Sequence, residues 1–178
     1  MSIGVELKWS ALMDENSSEE KILEVLRCRL EQHLESRQVR SALNKLRKIA
    51  AAHSRIDEWE LLLSAILLIE TRERPRIVRV AEWIISMLFL RRATTCGYFQ
   101  MRRSPFRFTE SVWEAVERLE HGGCHATLDE EALEQTARFW HGAASKQLGE
   151  SVGYAQALAV ARACLDAKCV KQVRNVSI

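Results

Sequence analysis

The sequence predicts an all-α protein. Stretches rich in Leu, Ala, Glu and Arg recur along the 178 residues, and only seven glycines and two prolines interrupt them. Apolar residues return at steps of three and four rather than two. Straight side chains lose little freedom in a helix, and that spacing places one apolar stripe along each helical segment. At 47% hydrophobic the chain can bury one substantial core, so residues 1–178 are read as a single compact helical domain.

The elements follow in order. Ser17 to Glu20 has the S-x-x-E form of a capping box, and Ile22, Leu23, Leu26, Leu30 and Leu34 continue it at helical spacing. Cys28, inside this pattern, is expected as a small core residue. A second helix carries Val39, Ala42, Leu43, Leu46, Ile49 and Ala50 toward His53. Asp57 is expected to cap a third that begins at Glu58, the most apolar segment of the chain. There Trp59, Leu62, Leu63, Ile66, Leu67 and Glu70 share one stripe, which puts Glu70 on the core side. Pro75 disfavours helical geometry at Arg74, so this helix should end soon after Glu70.

Ile77, Val80, Ala81, Ile84, Ile85 and Leu88 predict a fourth helix, followed by a polar turn and the segment TTCGYFQMR. Thr109 is expected to open a helix with Val112, Trp113, Val116 and Leu119, which Gly122 and Gly123 end. Thr127 to Glu130 forms a second capping box before Leu133, Ala137 and Trp140. An alanine-rich helix over about 150–169 closes the pattern, and the tail KQVRNVSI is expected to fray.

Net charge is +2. There is no basic start followed by an apolar core, and no run apolar enough to cross a bilayer, so the chain reads as soluble, without a signal peptide and cytoplasmic as synthesised. Five cysteines without a dense spacing pattern suit reduced thiols. Arg72, Arg74, Arg76 and Arg79, then Arg91 and Arg92, then Arg102, Arg103 and Arg107 concentrate basic charge in the middle third. Such clusters form either a solvated surface or a groove for an anionic polymer.

The candidate chemistry lies in Glu70 and the segment from Thr94 to Arg102. A carboxyl on the apolar side of a helix loses solvation for its charged form, which suits a general acid. Glycoside cleavage needs such an acid to protonate the leaving oxygen, and a glycine-containing loop with Thr, Tyr and Gln side chains would bind sugars beside it.

These residues resemble the lysozyme-like superfamily, and within it the soluble lytic transglycosylases. In that family a helix ends in Glu-Ser and a later motif reads Gly-Leu-Met-Gln; this chain has Glu70-Thr71 and, downstream, Gly97-Tyr98-Phe99-Gln100. Ser151 to Gln156, with Tyr154, is similar to the family's late Tyr-containing motif. The resemblance spans about residues 57–165. It implies a lysozyme-like fold, Glu70 as catalytic acid, and Thr95, Gly97, Tyr98, Gln100 and Tyr154 at the glycan. Peptidoglycan glycosyltransferase domains are echoed more loosely by Thr94, Thr95 and Gln100, without the Asp that follows their glutamate.

Two mechanisms stay open. A hydrolase needs a second carboxylate, for which Glu73 and Glu82 are candidates, whereas a lytic transglycosylase uses one Glu as acid and then base while the muramoyl 6-hydroxyl attacks. Arg72 and Arg79 would hold the stem-peptide carboxylates of peptidoglycan. Such an enzyme would need a non-classical route to the wall. No cofactor is expected. His121, Cys124 and His125, even with Cys164 and Cys169, lack the usual zinc spacing, so no metal is expected either. The alternative is a non-catalytic cytosolic module that binds nucleic acid or a protein partner through its Arg clusters, with Glu70 structural.

Overall fold

The computed structural model describes residues 19–73, 99, 107–127, 129–141 and 148–176. Every regular element among them is a helix: α1 (Glu19–Leu34), α2 (Arg37–Ala52), α3 (Ser54–Asp57), α4 (Glu60–Glu73), α5 (Phe108–His121), α6 (Glu130–His141) and α7 (Leu148–Val176). The expected helix over 77–88 lies outside the described residues, as does Ser17 of the first capping box. Among the described residues no helix is long and apolar enough to cross a membrane.

On α1, Leu26, Leu30 and Leu34 are buried at intervals of one turn. Cys28 is not a core residue but exposed. At about 100° per residue it stands roughly 200° round the helix from Leu26, on the outer face. Ser36 caps α2 from an extended backbone, its hydroxyl accepting the Val39 N–H at 3.3 Å. The buried stripe of α2 is Val39, Ala42, Leu43, Leu46 and Ala50, as the spacing predicts.

The entry to α4 differs from expectation. Asp57 ends the short α3 rather than capping the next helix, and α4 begins at Glu60. Fully buried Ile56 draws this turn onto the core, and the Trp59 N–H donates to its carbonyl. From Leu62 to Thr71 every residue of α4 is buried, including Ser64, Glu70 and Thr71. A helix covered on all sides is the centre of its bundle. Here α1, α2 and α7 pack around it, and α7 also packs along α6.

Two further boundaries show which local chemistry decided. Thr109 lies in the first turn of α5, and Arg107, the residue before that helix, makes no side-chain capping bond. The end is as expected. Gly123 takes φ +70°, its N–H donates to Glu120 O at 2.9 Å, and the Cys124 N–H returns to Leu119 O at 3.0 Å. That double closure satisfies carbonyls the helix leaves open, and glycine meets the left-handed geometry without strain. At α6 the cap is Asp129, not Thr127: Asp129 Oδ1 accepts the Ala132 N–H at 2.9 Å. That bond and the Thr127 hydroxyl hold the Asp129 carboxyl below its ordinary range. The last helix runs beyond its expected end at about 169, since α7 continues to Val176.

Candidate active site around Glu70

Glu70 closes the buried stripe of α4 and is 4% exposed. A carboxyl group so placed needs hydrogen bonds, because an unsatisfied polar group costs about 1–3 kcal/mol and more if charged. Two arrive from distant parts of the chain. Trp140 Nε1 donates to Glu70 Oε1 at 3.1 Å, and Tyr154 Oη donates to the same oxygen at 3.2 Å.

The sequence accounts for both donors. Trp140 follows Leu133 and Ala137 at helical steps, so it shares their inward face at the end of α6. Tyr154 opens the buried stripe Tyr154, Ala157, Leu158 and Ala161 of α7, whose alanines let that helix approach α4 closely. The guanidinium of Arg118, from α5, stands 5.2 Å from the Trp140 ring centroid and 5.6 Å from that of Phe139, which fixes the indole from its face. Helices α4, α5, α6 and α7 thus all act on one carboxyl.

An indole N–H only donates, so Oε1 accepts from Trp140 whatever the ionisation of Glu70. Glu70 Oε1 is thus anchored from both α6 and α7.

A second polar contact lies one residue further along α4. The Thr71 hydroxyl donates to Leu67 O at 2.7 Å, and His33 Nε2 is 3.1 Å from the Thr71 hydroxyl oxygen, Oγ1. With the hydroxyl hydrogen directed to the carbonyl, the His33 ring nitrogen is the donor. Sequence reasoning missed His33, although it falls seven residues after Leu26 and shares that buried face of α1. It missed Trp140 as a partner too, since the helical spacing from Leu133 and Ala137 says only that the tryptophan faces inward.

Of the residues singled out from sequence, Glu70 and Tyr154 are brought together. Arg72 lies half-buried on the last turn of α4, and Glu73 is that helix's last residue. Thr95, Gly97, Tyr98, Gln100, Arg79 and Glu82 lie outside the described residues. Phe99, the aromatic inside the Gly97 to Gln100 motif, is completely buried, its ring centroid 6.2 Å from that of Phe108. His121 turns Nδ1 to Glu117 O at 2.7 Å, and Cys124 is buried, its thiol pushed up by desolvation. Among the described residues no three His, Cys, Asp or Glu side chains gather as metal ligands.

No protein-family model matches the chain, and neither the curated proteins nor the solved structures contain a significant match to it.

Proposed function

We propose that the protein cleaves the β-1,4 glycan strand of peptidoglycan, with Glu70 as the general acid and then the general base. The observation that carries this reading is the shared contact of Tyr154 and Trp140 on Glu70 Oε1. Of the three sequence segments that carry the lysozyme-like resemblance, the first and the last thereby meet at hydrogen-bond distance. The interior of the middle one, Phe99, is anchored in the same core.

The Glu70 carboxyl, as the acid, protonates the glycosidic oxygen while the C1–O bond breaks and the sugar gains oxocarbenium character. The resulting carboxylate then takes the proton of the muramoyl 6-hydroxyl as that oxygen bonds to C1, giving a 1,6-anhydro product and restoring the acid. No second carboxylate is required, and Glu73 and Glu82 would matter only if water were the nucleophile. Tyr154 and Trp140 act as positioning residues, since they hold Oε1.

The test is release of soluble fragments from purified peptidoglycan. Glu70→Gln keeps an acceptor for Trp140 and Tyr154 and removes the transferable proton, so it should fold and fail to cleave.

A second reading has its own observation. A carboxyl 4% exposed that accepts from Trp140 and Tyr154 is also what a purely structural polar link between helices looks like. In that case the protein is a helical binding module, and Glu70→Gln would change nothing it does.

A further inference from the structure

Arg118 is half-buried, and its surroundings differ from those of the arginines that are matched by acids. Arg27, Arg55, Arg107 and Arg138 each pair with a carboxylate. Arg118 lies instead against the rings of Trp140 and Phe139 and makes no ion pair among the described residues. Glu114, one turn earlier on α5, is the carboxylate that helical spacing offers it. The two do not bond, and Glu114 Oε2 is buried without a hydrogen-bond partner. The guanidinium is thus committed to the two rings rather than to its neighbour on α5.

Rings attract this cation without satisfying it. An aromatic face draws in a guanidinium, but its N–H donors lie in the guanidinium plane and need oxygen acceptors. An arginine steadied by rings and unmatched by an acid suits a planar carboxylate, which it takes through two parallel hydrogen bonds. Its place says where that carboxylate would come from. Only one indole separates Arg118 from Glu70: the ring that it covers belongs to Trp140, whose Nε1–H donates to Glu70 Oε1 at 3.1 Å.

We propose that Arg118 binds a stem-peptide carboxylate of the peptidoglycan strand, an inference that rests on reading Glu70 as the acid that cleaves that strand. Arg118 is then a specificity-determining residue. A glycan without carboxylates could meet Glu70 but would leave the guanidinium unmatched, at the cost of a partly desolvated charge. The same cation offsets the repulsion between a substrate carboxylate and Glu70 once the acid has given up its proton.

The experiment is isothermal titration calorimetry on the full chain carrying Glu70→Gln, so that the ligand stays intact. The two probes are a peptidoglycan tetrasaccharide with its stem peptides, and the same compound with every carboxylate converted to a methylamide. The carboxylate probe should bind about tenfold more tightly, as one charge-assisted pair provides. Adding Arg118→Gln should weaken that probe about tenfold and leave the methylamide within about twofold. Arg118→Lys keeps the charge and loses the fork, so its smaller loss should also be confined to the carboxylate probe. That variant carries the test if circular dichroism and Tm show that Arg118→Gln does not fold. An arginine that only holds the indole would, when replaced, weaken both probes alike. That result, equal affinity for the two probes, or no binding of either overturns the inference. Digestion of peptidoglycan by the protein with Glu70 intact separates this from the catalytic reading. Arg118-dependent selectivity without cleavage would sink the catalysis and uphold the carboxylate contact, and cleavage without selectivity would do the reverse.

Discussion

Tyr154 Oη lies 3.2 Å from Glu70 Oε1, and Trp140 Nε1 lies 3.1 Å from the same atom, joining α7 and α6 to the last turn of the central helix. Neither Tyr154→Phe nor Trp140→Phe opens a large cavity, and each removes one hydrogen bond to a buried carboxyl. Each should cost about 1–3 kcal/mol in denaturant unfolding. Because both donors meet one atom, the double variant should deviate from additivity by at least about 0.5 kcal/mol. Strict additivity would mean that the two bonds are not made to a common acceptor.

The turn after α5 offers a test of the fold itself. A Cβ added at Gly122 would stand 2.5 Å from Phe139 Cδ2, whereas at Gly123 the obstacle is the backbone, with φ at +70°. Gly122→Ala must displace an aromatic ring that Arg118 covers, and should destabilise by about 1–3 kcal/mol. Gly123→Ala should cost about 1 kcal/mol through strain alone, and Gly123→Asn less, because Asn tolerates that conformation. Thermal unfolding of the three variants checks the order.

The elements read from sequence were those whose information is periodic. The stripes of α1, α2 and α4, and the placement of Glu70 on the buried side, follow from steps of three and four. The same periodicity places Cys28 on the outer face, and a composition argument about cysteine overrode it. What a single helix cannot report is its partner on another helix. Trp140 reads as core because its stripe is apolar, and nothing local says that its N–H finds a carboxylate 70 positions away. The α6 cap was ambiguous for a different reason. Thr127 and Asp129 are both good capping residues, and only the bond to the Ala132 N–H distinguishes them. Asp57 misled because buried Ile56 turned the preceding residues into a helix of their own.

Arg55 and Glu120 tie α3 to α5 through two parallel bonds, and that guanidinium holds the Glu120 carboxyl below its ordinary value. A depressed carboxylate stabilises the fold above its unfolded pKa, and the contribution is lost as pH falls through the folded one. Arg55→Gln should therefore lower Tm at pH 7, by about 1–2 °C for a half-exposed pair. The difference from wild type should shrink as pH drops below about 4.5. The stacking of Arg55 over Trp113 at 5.8 Å does not titrate in that range, so only the ion pair produces the pH dependence.

The cysteines should separate by environment. Burial pushes the Cys164 thiol up to about 11, and Cys124 is raised by the same cause, while Cys28 lies exposed on α1. Since thiolate is the reactive form, iodoacetamide at pH 8 should label Cys28 in the native protein and spare Cys124 and Cys164 until denaturant is added. Peptide mapping by mass spectrometry reads each site. Equal labelling of Cys164 and Cys28 under native conditions would contradict the packing of α1 against α7.

The central claim is that Glu70 transfers a proton during glycan cleavage, and the most direct measurement is digestion of purified peptidoglycan by wild type and Glu70→Gln, with fragments identified by mass spectrometry. The account predicts fragments ending in 1,6-anhydromuramic acid from the wild type and none from a Glu70→Gln protein with unchanged circular dichroism and Tm. Reducing ends instead would keep Glu70 as the acid and make water the nucleophile. No release by the wild type, across walls of differing chemistry, or equal release by the folded variant, would contradict the claim and leave Glu70 as a structural link between α4, α6 and α7.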